Sequence, residues 1–538
     1  MPAIQTSPFS PTDGLIAQVL HNDGSSAALT VGNRVVKYQP PKTEIWLEQR
    51  IWGHRFHNDQ TPWLLLLEAL NIMAAFAADR NVEEIFPGLG ENHENRTYEM
   101  QKRSDLRHLL FRDRDLDEIA SSQAIADPSQ WAAWFARVPD GKDRFAYLQE
   151  RFVSFAALRN AVTLLRGAEV ESERHRRPTS RHLAPRGVDM LTADYGESRN
   201  DGVNKDRRFF ARGGELLYLM LNRSESRKKL EAVVRKRFIG ENSRWNKLAK
   251  ALQSGVEEKK VSMDTFGYLP LARHPAYDRV AEDWYSLLSL EGLPDDSVPE
   301  PLMRLSGLGV LQYIVDRSAD MIGERRPPYP IDMLAAETAN VHKQAKDAFA
   351  RHKELSRKAI RKLVQALVES NEWKAAQCQT NAEKALKKLC EEVFKYEPWA
   401  HTAEMMAEEV TNAAIDNHDQ HLGRVVGFYA EQIGFAVARR GNGRWYAASD
   451  GFLEALVLAN VGAPMELEGF LDKLWRRYGF VIGTEAARQE YPEANYEHFK
   501  ANQRIFEDRL RILGLSKRLS DDCAFVINPF HRHNGATL

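Results

Sequence analysis

Leu467-Glu-Gly-Phe470-Leu471-Asp-Lys-Leu474-Trp475-Arg-Arg-Tyr478-Gly479 places its apolar residues at i, i+3, i+4, i+7, i+8 and i+11. That spacing is one face of an amphipathic helix, and the glycine ends it. A second periodic run, Tyr496 to Leu513, stops at Gly514. Beyond it, Leu515 to Leu519, a Ser-Asp-Asp turn and Cys523-Ala-Phe525-Val526-Ile527 before Asn528-Pro529 read as a hairpin. Helix, helix, two-stranded wing is the order of a winged helix, a helix-turn-helix variant that meets DNA or another protein.

Upstream, the same order recurs. A helix from Trp399 to about Leu422 leads to a helix around Tyr429-Ala-Glu-Gln-Ile433, then a hairpin with Gly441-Asn-Gly443 at its turn, then a helix from Asp450 to Asn460. The predicted fold is therefore mainly α and multi-domain: a helical body carrying tandem C-terminal winged-helix units. The expected divisions are a mostly helical domain over 1–170, a basic loop or linker over 171–207, a helical domain over 208–330, long charged helices over 331–398, and winged units over 399–462 and 463–538. In the first of these, residues 27–38 read as a β-hairpin, and Thr61-Pro62 reads as the N-cap and first position of a helix to Asp79. Arg144 to Leu165 reads as one helix, and Pro327-Pro-Tyr-Pro330 as a boundary. Asp332 to Lys395 reads as two or three Lys- and Glu-rich helices whose apolar residues, among them Leu363, Leu367, Trp373 and Phe394, suggest a spacer or an assembly surface.

Composition narrows the class. The 538 residues are 43% hydrophobic and 28% charged, which is ordinary for a globular protein. The longest apolar run, Trp63 to Leu67, is far short of a membrane span. No basic segment followed by an apolar one opens the chain, so a cytoplasmic location is expected. Cys378, Cys390 and Cys523 have neither the number for a disulfide framework nor the spacing of a zinc ribbon. Net charge is −1, so any affinity for nucleic acid must come from local patches.

Three such patches are candidates for duplex DNA. Lys500, Arg504 and Arg511 fall on one flank of the helix whose inner face is Phe499, Phe506, Leu510 and Leu513. Arg439, Arg440 and Arg444 flank the turn of the first wing, within reach of phosphate or a minor groove. Lys228, Lys229, Arg235 and Lys236 lie opposite the apolar arc of Leu230, Val233, Val234 and Phe238. Each has a plain alternative, a solvated face: Glu507 and Asp508 adjoin the first flank, and Glu225 falls within the last arc.

No complete catalytic, cofactor or metal constellation can be assembled. His54 and His57, with His93 or His108, have the residue types of a metal site but complete no motif. His418-Asp419, with His401 and His421 nearby, has the pair found in metal-dependent phosphohydrolases, with helix capping as the simpler reading. Arg103-Ser-Asp-Leu-Arg-His108 fits the loose Arg-x4-His pattern of small helical ribonucleases. Phosphate-binding glycine loops and the Gly-x-Ser-x-Gly elbow are missing.

The pattern Asp450-Gly-Phe-Leu-Glu-Ala-Leu-Val-Leu458, Phe470-Leu-Asp-Lys-Leu474, Arg477-Tyr-Gly-Phe-Val-Ile-Gly483 and Asp521-Asp-Cys-Ala-Phe-Val-Ile-Asn-Pro-Phe530 resembles the ends of large, mostly helical accessory proteins of bacterial multi-gene anti-phage defence systems, of the methylation-associated and DNA-modification-linked type. The likeness covers roughly the last hundred residues and carries no functional residue. It implies a non-enzymatic subunit, DNA-binding or scaffolding, that works beside other subunits of a defence or DNA-processing complex. A nuclease with its site in the N-terminal two-thirds is the alternative, and a transcription regulator the third.

Overall fold

The computed structural model describes residues 48, 51–53, 60–79, 83–88, 98–101, 103–122, 126–138, 140–171, 181–191, 213–240, 243–255, 260–263, 269–394, 396–520 and 523–531. The expected N-terminal hairpin lies outside them, as do His54, His57, His93 and most of the 171–207 linker. The described chain is mainly helical, with a few short strands.

Helix α1, Pro62–Ala78, begins as its sequence predicts, with the Thr61 hydroxyl accepting from Leu64 N and proline at the first position. Strand β1 (Tyr98–Gln101) and a short α2 (Ser104–Arg107) follow, the latter running into a π turn, His108–Arg112. Then come α3 (Asp115–Ser121), α4 (Asp127–Arg137), α5 (Gly141–Arg151) and α6 (Phe155–Arg166). The single helix expected over 144–165 is broken instead. Ser154 turns extended and caps α6 by accepting from Ala157 N, a choice that serine makes readily because its hydroxyl replaces a missing helical acceptor. Leu106, Trp131, Trp134, Phe145, Leu158 and their neighbours form a core of their own. Strands β2 (Glu169–Val170) and β3 (His182–Leu183) pair antiparallel at its edge.

The body continues with α7 (Gly213–Arg223), α8 (Arg227–Val234) with a second π turn over Arg235–Ile239, α9 (Arg244–Ala251), β4 (Lys260–Met263), α10 (Pro275–Leu288) and α11 (Pro299–Ile322). Helix α11 is buried on nearly every side and lies at the centre, packed by α1, α10 and helices further along the chain. Proline opens it, and Gly323 closes it in the left-handed conformation, φ 70°.

Pro327–Pro330, expected as a boundary, is a junction. Tyr329–Pro330 forms β5, which pairs in parallel with a strand at 480–481. After it run α12 (Asn340–Val368), α13 (Asn371–Gln377) and α14 (Ala382–Phe394). The apolar stripe proposed as an assembly surface is not free: Leu363, Val364, Leu367, Trp373, Leu386 and Phe394 are all buried in the chain's own core. Burying that stripe on the neighbouring helices of the same chain satisfies the hydrophobic drive that would otherwise have sought a partner.

The C-terminal part comprises α15 (Ala403–Gln420), α16 (Leu422–Gln432), β6 (Ala436–Arg439), β7 (Gly443–Tyr446) and α17 (Asp450–Asn460), then β8 (Met465–Glu466), α18 (Leu467–Tyr478), β9 (Phe480–Val481), α19 (Thr484–Glu490), α20 (Tyr496–Ile512), β10 (Ser516–Ser520) and β11 (Cys523–Val526). Strands β6 and β7 make a two-stranded hairpin, and β10, β11 and β8 a three-stranded antiparallel sheet in that order. One hydrophobic core runs from Ile51 to Val526, crossing the positions 208, 331, 399 and 463 where divisions were expected.

Candidate nucleic-acid interface

A polar groove of about 560 Å³ in the C-terminal part is bordered by the start of α18, by α19, by α20 and by β10 and β11. Its wall is α20. Phe499, Asn502, Phe506 and Leu510 face inward and are buried. Asn502 fixes the helix to the body: its amide donates to Ile331 O (2.9 Å) and Ile482 O (3.0 Å), and its carbonyl accepts from Met333 N (2.7 Å). Because the inner face is held this firmly, the outer one is set by the 100° step of the helix. Lys500, Arg504 and Arg511 are all on it and exposed.

Charges in the groove are mixed. Glu468 accepts from Gln503, Arg488 pairs with Glu485 and Arg518 approaches Glu507 at 3.8 Å. Arg511 is tied to Asp508 at 2.9 Å. Lys500, Arg504 and the exposed Lys517 of β10 form no ion pair among the described residues. Sequence reasoning did not single out Lys517, Arg518 or Arg488, although a Lys-Arg pair in a predicted wing strand was a readable signal.

The other basic candidates fare differently. At the β6–β7 hairpin, the Arg439 guanidinium lies 5.7 Å from the centre of the Trp445 ring, Arg444 is engaged by Glu431, and Arg440 is exposed at the tip. Helix α16, which precedes this hairpin, is buried over nearly its whole surface, Arg424 being the exposed exception, so it has no face to offer a groove. On α8, Lys228 and Lys229 are exposed, but Arg235 bonds to Glu231 and to Glu83 O, and Lys236 pairs with Glu291 at 3.3 Å. That arc keeps two uncommitted cations of its four.

The constellations read for chemistry do not converge. Asp419 is chelated by Arg357 (2.6 and 3.1 Å), whereas the adjacent His418 turns into the core, stacked on Trp52 and 3.3 Å from Glu48. Arg103 is spent on Asp189, Gln253 and two backbone carbonyls. His108 stacks on Phe145, and burial, reinforced by the nearby Arg144, lowers its pKa. Among the described residues no three His, Cys, Asp or Glu side chains are grouped to hold a metal ion, and no helix is long and apolar enough to cross a membrane. No protein-family model, no curated protein and no solved structure matches the chain.

Proposed function

We propose that residues 450–526 form a winged-helix unit that contacts duplex DNA, and that the chain is a non-enzymatic DNA-binding or scaffolding subunit of a bacterial multi-protein assembly of the anti-phage kind. The observation that carries this reading is the face of α20: a helix anchored from behind by Asn502, with Lys500 and Arg504 on its outer side uncommitted to any carboxylate, beside a wing bearing Lys517. The order α17, β8, α18, α20, β10, β11, with β8 added to the second strand of the hairpin, supports it. So does size, since a major groove about 12 Å wide admits a helix. The strand β9 and helix α19 lengthen the connection between the two principal helices.

Charge sets the strength. Three free cations neutralise about three phosphates, a slope of roughly −2.7 in log affinity against log salt. This is a weak, sequence-tolerant contact, and carboxylates such as Glu497 in the groove weaken it further. Stable engagement then needs contacts from other subunits, which fits the accessory role. Fluorescence anisotropy of a labelled duplex tests the reading: binding should fall with salt along a slope near that value and weaken in K500E/R504E. A salt-independent signal, or an affinity untouched by the double reversal, removes it.

A further inference from the structure

Trp399 is 86% exposed, although most of the chain's tryptophans are buried. Its backbone is nonetheless held fast. The Glu409 carboxylate accepts from Trp399 N (3.1 Å), Ala400 N (3.0 Å) and the Tyr396 hydroxyl (2.6 Å). One residue further, His401 Nδ1 lies 2.8 Å from Glu383 of α14. Pro398 is buried between these tethers. A loop pinned on both sides of an indole that faces water is a presented side chain, with little ordering left to be lost on binding. Met405, in the first turn of α15 and 57% exposed, lies one helical turn from Glu409 and so on the face against which the loop is pinned.

The exposed side of α15 is of one sign, and the nearby Lys387 of α14 is paired with Glu383 at 2.9 Å. Helix α15 contains no Lys or Arg. Glu404, Glu408 and Asp416, at four-residue multiples, share its exposed side, and Glu397 is exposed two residues before the indole. None of these four carboxylates has an ion pair among the described residues. The other two acids of the helix are occupied, Glu409 by the loop and Asp419 by Arg357.

We propose that Trp399 and Met405, with the acidic stripe of α15, form a docking surface for a Lys- and Arg-rich segment of a partner protein. An aromatic face attracts guanidinium and ammonium groups, and buried tryptophans dominate the energetics of many interfaces. Carboxylates around it repel a nucleic-acid backbone, so this surface and the α20 groove select partners of opposite charge. The inference does not depend on the duplex reading.

The test uses the full chain and two labelled synthetic peptides of about twenty residues, one of Arg, Lys, Leu and Ala and one with Glu in place of every Arg and Lys, followed by anisotropy. Saturable binding of the basic peptide alone, weakening as salt rises, is expected. W399A and E404K/E408K should each reduce the affinity at least about tenfold, while their circular dichroism and thermal melts match the parent's, because the altered side chains are exposed. Equal binding by W399A, binding of the acidic peptide, or no saturation overturns the proposal. A dimer in sedimentation that W399A abolishes also overturns it, since the occupant would then be a second copy of this chain.

Discussion

Two segments of the C-terminal part read alike as sequence and end up in opposite situations. In both, a helix is followed by a two-stranded hairpin: α16 with β6 and β7, and α20 with β10 and β11. Helix α16 is covered. Leu422, Val425, Val426, Tyr429 and Ala430 are buried, and Tyr329, Phe435 and Tyr446 meet at ring distances of 4.8 to 5.4 Å beneath its hairpin. Helix α20 buries one stripe and leaves the rest to solvent. The order of elements thus does not decide whether a helix has a free face; the distribution of its apolar residues does. The largest effect we expect exposes this difference. Val425→Asp puts an unpaired carboxylate into α16 and should cost about 4 kcal/mol or more, whereas Arg504→Asp on α20 should change stability by less than about 0.5 kcal/mol. Denaturant midpoints measure both, and similar losses would mean that α20 is covered as well.

Acid sharpens the contrast from the covered side. His352 accepts from the Tyr446 hydroxyl at 2.8 Å and donates to Pro327 O at 2.8 Å, an arrangement that suits the neutral ring. Burial pushes its pKa down to about 3. The unfolded chain therefore binds a proton near pH 6.5 that the folded chain refuses until about pH 3. Stability from this group is complete above the unfolded value and falls with pH below it, by at most about 1.4 kcal/mol per unit. His352→Gln should flatten that part of the profile. An unchanged slope in the variant would show that other groups carry the acid sensitivity.

Much of this was legible. The caps and periodicities of α1, α17, α18 and α20 are local, and the mainly helical class follows from them. The lost items are non-local. That β8 joins β11, or that Tyr329–Pro330 pairs with residues 480–481, depends on which segments meet, and two-residue strands have no periodicity to read. The stripe of α12 to α14 was visible as apolar but its cover was not, because a helix buried by its own chain and one buried by a partner have the same pattern. At the candidate groove the exposed cations of α20 came from angular reckoning. The pairing that removes Arg444, Arg235 and Lys236 from the free set required tertiary neighbours: Glu431, Glu83 O and Glu291.

Behind the open face, Asn502 is the residue that makes α20 a rigid wall. Asn502→Ala removes partners from two buried carbonyls and one half-buried N–H, and should cost about 2–3 kcal/mol. If α20 is seated by this clamp, hydrogen exchange along the helix should accelerate more than exchange along α16. Uniform acceleration of both would place the two segments in one cooperative unit.

The smallest effects bear on whether the proposed duplex contact involves one hairpin or both. K500E/R504E removes the two uncommitted cations of α20 and replaces them with like charge toward phosphate. Duplex affinity should fall about tenfold near 0.1 M salt, and the salt slope should flatten by roughly two. R439E/R440E alters a hairpin whose helix is buried and where Arg439 already lies over Trp445, leaving Arg440 as its free cation at the tip. A loss under about twofold is expected there, the size of a single exposed charge screened over a Debye length of about 10 Å. Both pairs are at the surface, so neither change should disturb folding. An equal loss from the two would mean that the β6–β7 hairpin reaches the same duplex as α20, and the contrast between a covered segment and an open one would then hold for packing but not for binding.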